Sequence, residues 1–205
     1  RGLRSLLRQD PDVVMVGEIR DLETAEVSIQ AALTGHLMLS TIHTNSASGA
    51  IPRFLSMGVK PFLLSPALNA VIGQRLVRRL CEKCKVPLKL SAEESTRVKK
   101  QLETIPEGHA QKPNLEKLEF FGPGKTCDVC GDIGYKGRVG IYEIMTMNEE
   151  LEAEIVKTDI SEHKIQEIAV RHGMITMVQD GLLKALDGIT SVDEVLRVAD
   201  INLEK

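Results

Sequence analysis

The chain has 205 residues, enough for one large domain or two small ones with a sizeable core. Its formal net charge of −3, with 42% hydrophobic and 27% charged residues, is that of an ordinary globular protein and argues against a dedicated nucleic-acid surface. Tryptophan is absent and aromatics make up 3%, so aliphatic side chains must form the core.

No apolar run approaches the roughly 18 residues of a membrane span, and no signal peptide is visible. The sequence opens at Arg1 with Leu3, Leu6 and Leu7 at helical spacing, which reads as a helix already under way in a longer protein. Val13-Val14-Met15-Val16 predicts a buried parallel strand that delivers Glu18 to the carboxyl edge of an α/β sheet, where ligands bind. Leu22, Ala25, Ile29, Ala32 and Leu33 then share one side of a helix, with Asp21 able to cap its start and Gly35 its end. A second strand, Leu37–Ile42, ends in His43-Thr44-Asn45. Ser46 or Ser48 opens a helix carrying Ile51, Phe54 and Leu55 that stops near Gly58. This strand–helix rhythm implies a parallel sheet.

Ser65-Pro66 predicts a further helix with Leu68, Val71, Ile72, Leu76 and Leu80 as its apolar stripe. Arg75, Arg78 and Arg79 lie off that stripe and read as solvated cations near its C-terminal end. Residues 91–117 are polar, with an amphipathic piece at Val98 and Leu102, and Val139, Ile141, Tyr142 and Ile144 return as a strand. The remainder is helical. Ser161 caps a helix with Ile165, Ile168 and Ala169 inward and Gly173 beyond it, Leu182, Leu183 and Leu186 line the next, and Ser191–Glu194 is a capping box for the last, with Val195 and Leu196 inward.

Glu18 and His43, at neighbouring strand ends, form a pair able to act on a polarised water and a phosphate. The plainer alternatives are a charged strand terminus and a hydrogen-bonded structural histidine. Gly17 lets a backbone or ligand approach closely. His36, at the other end of the second strand, points to a different surface such as a subunit boundary. No phosphate cradle of the form G-x-x-x-x-G-K-[ST] is present: Gly122-Pro123-Gly124-Lys125-Thr126 has Glu119 where the first glycine belongs and runs into Cys127 instead of a helix.

Cys81, Cys84, Cys127 and Cys130 form two C-x-x-C pairs separated by 42 residues. Without secretion signals the pattern favours a closed tetrahedral zinc site over disulfides or a redox pair, and a cytosolic location. Such a site is structural, stapling a loop-rich region short of apolar residues, with Gly131 and Gly134 supplying left-handed backbone.

Residues Leu6–Asp21 resemble the Walker B region of the secretion ATPases, the motors of type II secretion and type IV pilus assembly. Thr34–Asn45 is similar to that family's histidine box. The resemblance continues through Gln74–Cys81, the tetracysteine, Gly134–Arg138, Asp180-Gly181-Leu182 and Asp187–Ser191. The tetracysteine favours secretion and pilus-extension motors over retraction motors.

The resemblance implies an α/β chain: part of a RecA-like P-loop NTPase core over residues 1–80, a tetracysteine zinc subdomain over 81–142, and a C-terminal helical subdomain over 143–205. By position, Glu18 would polarise the attacking water and His43 would contact the γ-phosphate. Arg20 and Asp21 would support the Walker B turn, with Gly17 and His36 as further nucleotide-side candidates, and the four cysteines would hold Zn²⁺. ATP and Mg²⁺ would bind the full-length protein only, because the family's P-loop would precede Arg1 and the 205 residues alone lack it. The implied assembly is a cytoplasmic homo-hexamer, peripheral at the inner membrane through a platform protein. Two other readings remain at this point: a free-standing zinc-stapled module docking on that platform protein, and a zinc-ribbon nucleic-acid binder, which charge and aromatic content disfavour.

Overall fold

The computed structural model describes residues 2–125, 127–157 and 159–199, the Arg4 side chain excepted; Thr126 of the glycine-proline-glycine motif and the last six residues lie outside the described part. The chain divides into two compact units, Arg1–Val71 with Met145–Ala169, and Ile72–Ile144 with Val170–Lys205.

The first unit runs α1 (Gly2–Leu7), β1 (Val13–Val16), α2 (Leu22–Leu33), β2 (Leu37–Ser40), α3 (Ala50–Ser56) and α4 (Pro61–Leu64), then a single 3₁₀ turn at Ser65–Ala67. β1 and β2 pair in parallel, with Val13 opposite Leu37 and Met15 opposite Leu39, as the α/β rhythm requires. Asp21 caps α2, its carboxylate accepting from the Thr24 N–H at 2.8 Å. Gly35 and Gly58 follow α2 and α3 at φ +100° and +96°, a conformation that a Cβ would strain. α3 starts without a side-chain cap at its own N-cap, Gly49; the Ser46 hydroxyl instead accepts the Gly49 N–H at 3.0 Å.

Continuous apolar runs predict strands covered on both faces, and here only one face is covered. Val14 is 1% exposed while Val13 and Met15 are 54% and 75% exposed; Leu37 and Leu39, beside them in register, are also exposed.

The helix expected after Pro66 is instead a strand, β3 (Ala70–Leu80), within which the chain passes into the second unit. The misreading has a physical source. Leu68, Ile72, Leu76 and Leu80 recur every four residues, a spacing that satisfies both a helical stripe and the two-residue period of a strand. Gly73 and the β-branched Val71, Ile72 and Val77 decide for the strand. Ile72 and Leu76 consequently sit together on its exposed face rather than in a core, while Val77 is fully buried.

The second unit continues with β4 (Val86–Leu88), α5 (Ala92–Glu103), β5 (Phe120–Gly122) and β6 (Tyr135–Thr146), with β3 pairing β6 and β4 pairing β5 antiparallel. The chain then returns to the first unit with α6 (Glu149–Ile155) and most of α7 (Glu162–Arg171), and the second unit is completed by α8 (Met177–Leu186) and α9 (Val192–Ala199). α5 carries a full capping box between Ser91 and Glu94. The stretch between the cysteine pairs is not short of apolar anchors. Val98 and Leu102 of α5, Ile105, and Phe120 of β5 are buried against Leu182 and Ala185 of α8 and Val192 and Val195 of α9. Gly181 permits that closeness: a Cβ there would stand 2.6 Å from a Val195 methyl. Among the described residues no helix is long and apolar enough to cross a membrane.

Candidate functional site

Two clusters carry chemistry, one in each unit. The first sits where the chain leaves β1 and β2. Parallel pairing places both exits at one edge, and the loops are tied there: the Ile19 N–H donates to the Thr41 carbonyl at 2.9 Å and the Thr41 hydroxyl to the Gly17 carbonyl at 2.7 Å. These bonds bring His43 Nε2 to 2.8 Å from one Glu18 oxygen, while the Arg20 guanidinium stands 2.5 Å from the other. The Glu18 side chain is 19% exposed; those of Arg20 and His43 are 76% and 83% exposed.

The Arg20 hydrogen bond, helped by the charges of Arg20 and His43, holds the Glu18 carboxyl below its ordinary pKa despite its desolvation. Glu18 is therefore a carboxylate at neutral pH, better suited to orienting and polarising a water than to keeping an abstracted proton. Asp21 also lies low, because the Thr24 N–H and hydroxyl bond its carboxylate at the start of α2. A Cβ on Gly17 would meet nothing within 4 Å, so the backbone beside Glu18 is unobstructed there.

His36 is not part of this cluster. All of β2 separates it from His43, and its Nδ1 lies 3.0 Å from the Ala31 carbonyl and 3.3 Å from the Thr34 hydroxyl, at the end of α2. It borders an open groove with Leu7, Glu26, Val27 and Gln30. Thr41, which braces Glu18, escaped the sequence reading; the only signal was that parallel neighbours must be knit where they end.

The second cluster gathers Cys81, Cys84, Cys127 and Cys130, whose sulfurs all lie within 4.8 Å of one another. None is in a disulfide. Cys81 Sγ is 3.9 Å from Cys127 Sγ and Cys84 Sγ is 3.7 Å from Cys130 Sγ. A tetrahedral ion with metal–sulfur bonds of ~2.3 Å needs sulfur–sulfur edges of ~3.8 Å, so four soft donors at these spacings fit Zn²⁺. Each knuckle turns on backbone bonds: Cys84 and Lys85 N–H groups donate to the Cys81 carbonyl at 3.2 and 2.9 Å, Cys130 and Asp132 N–H groups to the Cys127 carbonyl at 3.2 and 3.1 Å. Asp132 in turn accepts the Cys127 N–H, a second-knuckle brace that the sequence reading missed.

The crowding separates the thiols. Burial, then the neighbouring sulfurs, push Cys84 up to about 12. Burial also acts upward on Cys127, but the Cys130 and Val129 N–H groups and the adjoining thiols outweigh it and lower Cys127.

Arg78 corrects the reading of solvated cations. Its N–H and guanidinium reach the carboxylate of Glu194 at 3.0 and 2.6 Å, and Arg197 adds two bonds of 2.9 Å. The Glu194 side chain is 1% exposed. Burial raises its pKa, but the Arg197 and Arg78 bonds prevail and bring it to about 2. The Arg78 guanidinium also lies 4.2 Å above the Tyr135 ring.

The sequence profile described as type II/IV secretion system protein matches residues 1–197. The chain is 49% identical over 196 residues to the type IV pilus assembly ATPase PilB of Thermus thermophilus, covering 96% of this chain and 21% of that protein. It is 46% identical over 198 residues to the type II secretion system protein E of Pseudomonas aeruginosa, covering 97% and 36%. Among solved structures it resembles the pilus retraction motor PilT with bound ADP, at a TM-score of 0.63 and 26% identity over 100% of this chain and 44% of that one. The Legionella pneumophila ATPase DotB shares the fold at a TM-score of 0.62 and 20% identity, covering 97% and 41%. The chain thus spans between 21% and 38% of the length of the curated relatives it matches.

Proposed function

This chain belongs to the type II/IV secretion system protein family, and from that premise we propose that it is the hydrolysis-side part of a motor ATPase that drives pilus or pseudopilus assembly. One observation carries the reading: Glu18 and His43 meet at 2.8 Å at the joined ends of two parallel strands, with the His43 side chain largely exposed. In the complete motor Glu18 orients and polarises the attacking water and His43 contacts the γ-phosphate of ATP bound with Mg²⁺. Arg20 holds the Glu18 carboxylate, and Asp21 fixes the turn that carries both. Gly17 leaves room for the nucleotide, and His36 faces a neighbouring subunit of a homo-hexamer.

The functional division follows the chain: residues 1–80 serve hydrolysis in a RecA-like core, 81–142 hold structural Zn²⁺, and 143–205 contribute the helices α6–α9, which are divided between the two units. The uncovered face of Val13, Met15, Leu37 and Leu39 supports a further layer packed on this sheet in the complete protein. The motor works in the cytoplasm against an inner-membrane platform protein, without nucleic acid. The 205 residues alone hold no phosphate cradle, and titration calorimetry on them should detect no micromolar ATP site. In the full-length motor Glu18→Gln should lower turnover by about two to four orders of magnitude while ATP still binds. Unchanged turnover would remove Glu18 from the mechanism.

A further inference from the structure

The glycine-proline-glycine-lysine segment at 122–125 is excluded as a phosphate loop, yet it lies against the metal knuckles. Gly124 passes so close to the first knuckle that a Cβ there would overlap the Cys84 carbonyl oxygen and stand 2.7 Å from its carbon. The next layer is equally tight. A Cβ on Gly134, at φ +77°, would stand 3.0 Å from Pro123 Cα and from the Gly124 carbonyl oxygen. Gly134 in turn links both knuckles, donating its N–H to Cys130 Sγ at 3.2 Å and accepting the Cys81 N–H at 3.0 Å. Both ends of the segment are anchored. Gly122 pairs with Val86 in the β4–β5 ladder, and Cys127 follows two residues after Lys125.

We propose that Gly124 and Gly134 form a backbone clasp that holds the two cysteine knuckles in register before the metal arrives, with Pro123-Gly124 threaded between Cys84 and Gly134. The motif's glycine is there because the first knuckle's carbonyl occupies the place of a side chain. The clasp rests on the metal reading, since its use is to preset the four sulfurs. Pre-setting matters because a site whose donors are already gathered spends less of its binding free energy on ordering the chain.

Gly122 supplies an internal control. A Cβ there would meet Leu88 at 3.5 Å, ordinary van der Waals contact. Co²⁺ and Zn²⁺ titrations under reducing conditions, read by thiolate-to-cobalt absorption and zinc competition, should therefore separate Gly124→Ala from Gly122→Ala. Gly124→Ala should lose about ten- to a hundredfold in affinity, the range for groups that orient metal ligands, with Gly122→Ala near the unsubstituted protein. Equal affinities in the two variants would overturn the clasp.

Hydrogen exchange on the metal-stripped, unsubstituted protein provides a second reading that does not depend on either variant folding. The Cys81 and Gly134 N–H groups should stay protected without metal. If they exchange as fast as an open loop while α8 and α9 remain protected, the knuckles are assembled by the ion and the clasp is wrong. A protein that takes up neither Co²⁺ nor Zn²⁺ would sink the metal reading instead, leaving the exchange result to decide the clasp.

Discussion

The strand edge at Glu18 and the cysteine cluster are built on opposite principles. At the first, Glu18, Arg20 and His43 project from loops, with His43 and Arg20 largely exposed and their geometry set by two ties through Thr41, one from its hydroxyl and one to its carbonyl. At the second, Cys81 and Cys130 are buried, the N–H groups of all four cysteines are bonded within the chain, and the chain passes too closely for a side chain at Gly124. An open edge suits a site that must admit a large substrate and exchange it. A closed tetrahedron offers no coordination position to a reactant, which is what a structural ion requires. Exposure therefore separates chemistry from architecture here better than residue type does.

The strongest way to break that contrast is to remove one ligand. Cys127→Ser, or chelation, should abolish stoichiometric zinc and speed hydrogen exchange by orders of magnitude in the excursion between the knuckles, residues 89–119, while the clasped Cys81 and Gly134 N–H groups and β1 and β2 remain protected. Uniform acceleration across both units would show that the ion supports the whole chain. Next comes the buried carboxylate. Glu194→Gln keeps the shape but leaves Arg78 and Arg197 without their anion, and should destabilise the second unit by about 2–3 kcal/mol in urea denaturation.

The same group sets a pH window. Its carboxyl titrates near 2 in the folded chain against 4.5 for a free glutamate, so the unfolded chain takes up its proton first as acid is added. Its contribution is whole above about pH 5 and drains away as the pH falls through about 4 toward 2. Glu194→Gln should flatten that part of the acid-stability curve; an unchanged slope would assign it to other carboxylates. The smallest effect belongs to the open edge. Asp21→Ala removes the cap of α2 and should cost about 1 kcal/mol in the first unit, with zinc content unaltered.

Much of this was legible in the chain. Caps at Asp21 and Ser161, the paired strands ending at Glu18 and His43, and the gathered cysteines all follow from local rules that tertiary context left standing. What failed did so for physical reasons. β3 was hidden by an apolar spacing of four that two periodicities share. Arg78 looked solvated because its anion lies 116 residues away on α9, beyond any window of local pattern. At that helix the capping box is only half used: the Ser191 hydroxyl takes the Glu194 N–H, while the Glu194 side chain turns to the arginines. The stretch between the cysteine pairs was expected to be poor in apolar residues because Val98, Leu102, Ile105 and Phe120 are spread through polar sequence, and only folding brings them onto α8 and α9.

That packing changes what the ion does for the stretch between the knuckles. Residues 85–125 form a tether whose ends meet in the β4–β5 ladder and, beyond it, at the two knuckles that the proposed ion would pin, with α5 as its cargo. Loss of metal would delete no contact between α5 and its partners; it would enlarge the volume that the helix explores and lower its local concentration at α8 and α9. Because that penalty grows only logarithmically with loop length, α5 should detach in part and return often, a reversible opening rather than a collapse.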